Sequence, residues 1–241
     1  MAQNRLDKVL SDLGVASRKE LKEIIRSGRV TVDGRVEKRP ERRLDPEQNR
    51  ICLDGKALEY RRYRYFMMDK PLGVVTATED AGQKTVIDLL PEDLKGLELF
   101  PVGRLDKDTS GLLLLTNDGD FAHRVISPKS CVEKRYYARV EGKPDGSDVL
   151  AFRAGLTLGD GTVCQPAALE ILGESECLVT VTEGKYHQVR RMLASRGKPV
   201  RELRRLSEGG LSLDENLDPG GIRELDDGDL CRVLGKDHLE K

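Results

Sequence analysis

The apolar positions of the first 60 residues change period partway along. Leu6, Val9, Leu10 and Leu13 recur at helical spacing and Gly14 supplies a stop, which predicts a short first helix. Ser17-Arg18-Lys19-Glu20 has the form of a capping box, the Ser17 hydroxyl accepting from the Glu20 amide while the Glu20 side chain reaches back. It opens a second helix with Leu21, Ile24 and Ile25 as its buried stripe and Gly28 as its end. The period then drops to two, and residues 30–36 and 51–58 each read as a hairpin turning on Asp-Gly. Two helices followed by small hairpins predict a compact module over residues 1–60. The charged linker Arg61-Arg62-Tyr63-Arg64 leaves that module free to move relative to the rest of the chain.

From Tyr65 onward the pattern differs. Strand-like runs at 65–68, 112–116, 136–140, 167–171 and 177–182 are interspersed with helix-like stretches at 85–90, 121–126, 148–154 and 187–195. Without a regular strand-helix alternation, this predicts an α+β domain over residues 65–235, built on a mostly antiparallel mixed sheet with flanking helices, and a tail at 236–241. Pro71 and Gly73 set a turn before Val74-Val75-Thr76. The apolar run Leu112 to Leu115 follows a turn bounded by Gly103 and Gly111, which holds Asp106 at the edge of a core, where a carboxylate can be desolvated and used. A solvated strand connection is the plain alternative for that turn alone.

Composition narrows the class. With 34% charged and 38% hydrophobic residues in 241, the chain has the make-up of an ordinary globular protein. A polar opening and the lack of any run of 18 apolar residues argue against membrane or export, so the cytoplasm is expected. Five dispersed cysteines with no C-x-x-C pair, and three isolated histidines, argue against a disulfide framework, a zinc site or another metal centre. The formal net charge of -1 hides an uneven distribution: residues 1–64 carry 17 basic against 11 acidic side chains, and residues 183–206 carry eight against two. Arg18, Lys19, Lys22, Arg26 and Arg29 crowd the second helix and the turn after it into a positive stripe. Two basic surfaces on an otherwise acidic chain point to a polyanion, although each taken singly also fits a solvated helix face.

The first module resembles the alpha-L RNA-binding domain, the two-helix unit shared by a small-subunit ribosomal protein and several RNA-modifying enzymes. The resemblance rests on residues 5–10, Ser17-Arg18-Lys19-Glu20, and residues 28–34. Gly103-Arg104-Leu105-Asp106 with Thr109-Ser110-Gly111-Leu112 resembles the catalytic loop of pseudouridine synthases, in the branch of the RsuA, RluB, RluE and RluF types. That branch also carries motifs like Lys70-Pro71-Leu72-Gly73, Lys134-Arg135-Tyr136 and the run Gly184 to Met192, all present here in the family's order over residues 3–233.

The resemblance implies isomerisation of a uridine in ribosomal RNA to pseudouridine, without metal or other cofactor, after the nucleotide is flipped into a pocket. It implies Asp106 as the essential carboxylate, acting on the ribose as nucleophile or as base. Arg190 would be its basic partner, holding it ionised and oriented. Tyr136 would pack on the uracil and offer its hydroxyl for proton transfer. Arg104, Lys134, His187 and Gln188 would bind substrate, with Arg104 on the flipped-out backbone or its neighbours and the N-terminal stripe on RNA, while Lys70 and Pro71 support the pocket. A glycosidase-like pair of Asp106 and Asp108 is the rival, but side chains two apart in a tight turn diverge, which makes Asp108 a bystander. Residues 165–170 and 185–190 look most like the small-subunit RsuA type, although Gln165 departs from its Lys. The expected substrate is therefore 16S ribosomal RNA or a ribosomal assembly intermediate, acted on by a monomer, with 23S ribosomal RNA and a non-catalytic RNA-binding assembly factor as alternatives. A binding-only protein would have no reason to keep Asp106, Tyr136 and Arg190 together.

Overall fold

A computed structural model of the chain describes residues 4–58 and 60–235, so the expected tail at 236–241 lies outside the described residues. Contacts divide the chain into two units, one running to Arg64 and including Leu90–Leu99, the other formed by Tyr65–Leu89 and the chain from Phe100. The stretch 90–99 thus groups with the N-terminal module rather than with the segments on either side of it.

In the first unit α1 (Leu6–Asp12) and α2 (Arg18–Arg26) accompany six short strands: β1 (Asn4–Arg5), β2 (Val30–Val32), β3 (Arg35–Val36), β4 (Arg43–Leu44), β5 (Ile51–Leu53) and β6 (Lys56–Leu58). β1 pairs with β4, and the rest form a sheet in the order β3-β2-β5-β6. The capping box forms as expected, with the Ser17 amide donating to Glu20 Oε2 at 3.0 Å and the Glu20 amide to Ser17 Oγ at 3.4 Å. Both hairpins turn on left-handed pairs, Asp33 and Gly34 at φ 51° and 76°, Asp54 and Gly55 at 50° and 78°. The helical stripe of Leu6, Val9, Leu10, Leu21 and Ile25 closes on Val30, Val32, Leu44 and Ile51, none more than 3% exposed.

The second unit contains β7 (Tyr65–Lys70), β8 (Phe100–Val102), β9 (Ser110–Thr116), α3 (Gly119–Ile126), β10 (Lys134–Val140), α4 (Gly146–Ala154), β11 (Ala168–Ile171) and β12 (Glu176–Val181). It continues with α5 (Gln188–Ser195), β13 (Val200–Glu208), β14 (Leu211–Ser212), β15 (Ile222–Glu224) and α6 (Asp227–Leu234). Its sheet runs β11-β12-β10-β13-β9-β7-β15, with β14 paired to β13 and β8 to β9. The mostly antiparallel mixed sheet expected from sequence is what forms, since only the β13–β9 pairing is parallel among these strands. β9 is apolar at successive positions because both its faces are covered: Leu112 to Leu115 are each at most 1% exposed. Leu112 and Leu114 join Met67, Phe121, Val125, Leu230 and Val233 in one core cluster. Among the described residues no helix is long and apolar enough to cross a membrane.

Two expectations change. The helix over 85–90 is instead a single 3-10 turn, Ile87–Leu89, because Thr85 is drawn into a bridge with Val75 and its hydroxyl and amide are both tied to the Asp88 carboxylate. Pro91 then disfavours a helical Leu90. The longest strand among the described residues, β13, is not foreseen at all: Val-Arg-Glu-Leu-Arg-Arg-Leu-Ser-Glu buries Leu203, Arg205 and Glu208, so its inward face carries no apolar alternation.

The parallel junction sets a tight steric limit. Gly111 on β9 stands opposite Arg205 on β13 at φ 103°, and a Cβ there would lie 2.2 Å from the Arg205 carbonyl oxygen and 2.7 Å from its nitrogen. Gly111→Ala is expected to destabilise the protein by about 2 kcal/mol or more, because the strands must separate and the backbone is left-handed. A urea denaturation midpoint equal to that of the parent would contradict this.

Candidate active site

The loop between β8 and β9 is held from beneath by polar groups. Thr76 brackets Leu105, its hydroxyl donating to the Leu105 carbonyl at 2.7 Å and accepting from the Leu105 amide at 3.2 Å. Lys70, at the end of β7 and fully buried, donates its ammonium to the carbonyls of Pro71 at 3.1 Å, Asp106 at 3.1 Å and Thr109 at 3.0 Å. The Gly73 amide donates to the Lys107 carbonyl at 2.8 Å. Arg190, on α5, donates to the Asp108 carbonyl at 2.8 Å and to the Thr109 hydroxyl at 3.4 Å. The backbone around Asp106 is thereby fixed on several sides while its carboxylate remains 31% exposed, with His187 Nε2 at 3.4 Å.

That carboxylate opens on a cleft lined by Arg104, Leu105, Thr109, Tyr136, Val181, Lys185, His187 and Leu203, among others. Tyr136 is 9% exposed, and burial pushes its hydroxyl above the ordinary tyrosine range, so it stays protonated at neutral pH. Behind it, β10 pairs with β13 such that Tyr136 faces Arg205 and Lys134 faces Glu208, with a register shift between Arg135 and Tyr136. The shift has a structural consequence: residues three apart point to opposite faces of a regular strand, and the bulge lets Arg205 and Glu208 both turn inward. The Arg205 guanidinium interacts with the Tyr136 hydroxyl, donates to the Leu112 carbonyl at 2.7 Å and lies 3.3 Å from Glu208, whose other partner is Lys134 at 3.9 Å. Burial lowers the Lys134 pKa, with Glu208 opposing that shift.

The structure gathers the expected residues with several changes of role. Asp106, Tyr136, Arg104 and His187 line one cleft. Arg190 is beside the loop but pairs with the Asp108 carboxylate at 3.1 Å, so it braces the backbone, and His187 is the side chain that approaches Asp106. Asp108 is accordingly a structural partner of Arg190. Lys134 does not face the cleft: it is 8% exposed and directed at Glu208 and the Val132 carbonyl. Gln188 lines the cleft too, and its amide is bonded within the wall, donating to Glu183 at 2.7 Å and accepting from the Lys185 amide at 2.9 Å, which closes the turn before α5. Glu183 also accepts from the Gln165 amide; burial raises its pKa, but these bonds and Lys185 outweigh that and leave it low. Arg18, Lys19, Lys22 and Arg26 are exposed on α2 as expected, while Arg29 is paired with Asp54 at 2.6 Å. Sequence reasoning passes over Thr76, Arg205 and Glu208. For Arg205 and Glu208 the available signal is the (i, i+3) opposite-charge pair after Leu203, which reads equally well as surface.

Comparison with known proteins bears on this arrangement. Residues 64–195 match the family model of RNA pseudouridylate synthases, and residues 4–56 match that of the S4 domain. The chain is 44% identical over 231 residues to the uncharacterised RNA pseudouridine synthase YtzG of Bacillus subtilis, covering 94% of this chain and 96% of that one. It is 40% identical to the ribosomal small subunit pseudouridine synthase A of Vibrio cholerae, over 95% and 99% of the two chains. A crystal structure of a pseudouridylate synthase, 33% identical, superimposes with a TM-score of 0.68 over 95% of this chain and 99% of that one.

The buried ammonium predicts a pH dependence. Burial lowers the Lys70 pKa from 10.5 to about 8, with Asp106 and Asp108 opposing the shift. Between those values the unfolded chain holds this proton and the folded chain does not, so the penalty of burying the charge is present below pH 8 and vanishes toward pH 10.5. The stability difference between the parent and Lys70→Met should therefore shift in favour of the parent as pH rises through that window. A difference that stays flat across it in urea titrations would show that Lys70 keeps an ordinary pKa.

Proposed function

The chain belongs to the RNA pseudouridylate synthase family, carries an N-terminal S4 domain, and is an isomerase acting on RNA; from this we propose that it converts one uridine of 16S ribosomal RNA to pseudouridine with Asp106 as the essential residue. The observation that carries the residue assignment is the contrast at the loop: its backbone oxygens are held by Lys70 and Arg190 while the Asp106 carboxylate is left facing the cleft. The similarity to enzymes named for the small ribosomal subunit, along nearly the whole chain, favours 16S ribosomal RNA.

The reaction breaks the bond from the ribose to nitrogen 1 of uracil, turns the base, and joins the ribose to carbon 5. In balance, one proton leaves carbon 5 and one arrives on nitrogen 1, so the site needs no oxidant and no added group. A carboxylate held at the cleft wall suits the first step, whether it attacks the ribose or removes a sugar proton. Tyr136 supplies a flat, mostly buried face and a hydroxyl that stays protonated, a neutral surface for the detached base. The target nucleotide must leave the RNA stack to reach these groups, and Arg104 stands at the cleft to hold the displaced strand. The protein acts as a monomer in the cytoplasm, on ribosomal RNA or an assembling small subunit.

Mapping pseudouridines in ribosomal RNA from cells lacking the protein should reveal one missing site in 16S ribosomal RNA, restored by the parent and not by Asp106→Asn, with RNA affinity of the variant nearly unchanged. Restoration by Asp106→Asn would remove the carboxylate from the mechanism, and a missing site in 23S ribosomal RNA would move the target. A second expectation concerns the N-terminal stripe. Replacing Arg18, Lys19, Lys22 and Arg26 together with Gln should weaken RNA binding and reduce the slope of log affinity against log salt by about 3, given roughly 0.7 to 0.9 for each phosphate that is no longer neutralised. An unchanged slope would exclude the stripe as an RNA-binding surface.

A further inference from the structure

Tyr186 is the most exposed of the six tyrosines, at 74%, and it sits in the segment that lines the cleft, between Lys185 and His187. Its ring stacks on the His187 imidazole with centroids 3.9 Å apart and planes 16° from parallel. His187 is held in the left-handed region, at φ 48°, as the residue before α5, and its Nε2 stands 3.4 Å from Asp106. Around the ring the main chain is tied down as well, the Tyr186 carbonyl accepting from Arg191 at 3.3 Å and the Lys185 carbonyl from the Gln188 amide at 3.1 Å. One face of an aromatic ring is thus covered by His187, the other is left to solvent, and neither Glu183 nor Gln188 is free to cover it because each is bonded to the other.

We propose that the open face of Tyr186 is a stacking platform for an unpaired base of the substrate RNA, adjacent to the nucleotide held in the cleft. This rests on the RNA-isomerase reading given above. Taking one base out of a stack leaves its neighbours with uncovered π faces, and a stacked aromatic ring at the lip covers such a face without reading its sequence. Arg104, exposed at the same cleft, gives that lip a cation for the adjoining phosphate. Because the ring is already stacked on His187, little side-chain freedom remains to be lost on binding. The stack also puts base occupancy one residue away from the catalytic carboxylate, through His187.

The chain contains no tryptophan, so Tyr186→Trp supplies a single reporter at the platform. With unmodified small-subunit ribosomal RNA made by transcription as the probe, its emission should be quenched saturably, because the indole would be stacked on a base. Tyr186→Ala should raise KM for that RNA about 10-fold with the loss falling on KM rather than kcat, and Tyr186→Phe should keep the parental KM. RNA that binds, by filter retention, without changing the emission, or a parental KM in Tyr186→Ala, would overturn the platform. If the parent forms no pseudouridine in this RNA, free 16S ribosomal RNA is excluded as its substrate, while quenching in the same mixture still decides whether a base stacks on residue 186.

Discussion

A buried ammonium surrounded by carbonyl oxygens sets the geometry of the cleft. Lys70 is the last residue of β7 and is fully buried, and its three acceptors come from the turn after its own strand and from both ends of the Asp106 turn. Buried carbonyls need donors, and a lysine is the one side chain that can present three at once from a single point. The loop is therefore built around a cation in addition to its own turn bond, from the Thr109 amide to the Asp106 carbonyl at 3.0 Å. That arrangement leaves the Asp106 side chain free of structural duty, which a catalytic carboxylate requires. Arg190 completes it from α5, by gripping the Asp108 carbonyl and carboxylate.

The opposite wall solves a harder electrostatic problem. Arg205 and Glu208 are each at most 2% exposed, and Arg205 Nη2 and both Glu208 oxygens lack hydrogen bonds, so the ion pair and the distant Lys134 carry the compensation. Burying such groups is costly when partners are imperfect, and an apolar wall of the same volume would often be as stable. What the charges provide is position: a guanidinium behind the Tyr136 hydroxyl, reached only because the β10–β13 bulge turns residues 205 and 208 to the same side. The bulge and the network depend on each other, since a regular register would expose one of the two charges and leave the other alone in the core.

These features explain which parts of the molecule are legible from sequence. The N-terminal module is readable almost residue by residue, because its signals are local: the Ser17–Glu20 box, the two Asp-Gly turns and the stripe from Leu6 to Ile25 all act within a few positions of each other. β9 is readable because burial on both faces writes a continuous apolar run. β13 is not, although it is central to the sheet, because its inward positions hold Arg205 and Glu208, and period-two reasoning counts those as outward. The site is legible in its membership and not in its pairings. Motif resemblance identifies Asp106, Tyr136 and Arg190, but whether Arg190 faces Asp106 or Asp108 is decided by how a tight turn presents alternate side chains. Lys134 is assigned to substrate because its motif borders the site, whereas burial commits it to Glu208; Gln188 does line the cleft, with its amide bonded to Glu183.

The distribution of charge suggests how affinity and selectivity are divided in such an enzyme. The α2 stripe is exposed and free of aromatic neighbours on its own helix, the composition of a surface that meets phosphates and reads no bases. The cleft is the reverse: its cations are mostly tethered, Arg190 to the loop, Lys185 to Glu183 and Arg191 to Asp160, and its exposed groups include a carboxylate and an aromatic ring. A tethered cation is partly neutralised and binds a phosphate weakly, so the cleft alone would hold RNA poorly despite eight basic residues in that stretch of sequence. An enzyme of this design needs a separate, untethered source of electrostatic attraction, and residues 1–64, the module with its linker, carry a surplus of six basic residues that can supply one. The net charge of -1 is compatible with a polyanionic substrate, because it is the sum of locally basic stretches and an acidic remainder rather than a uniform surface.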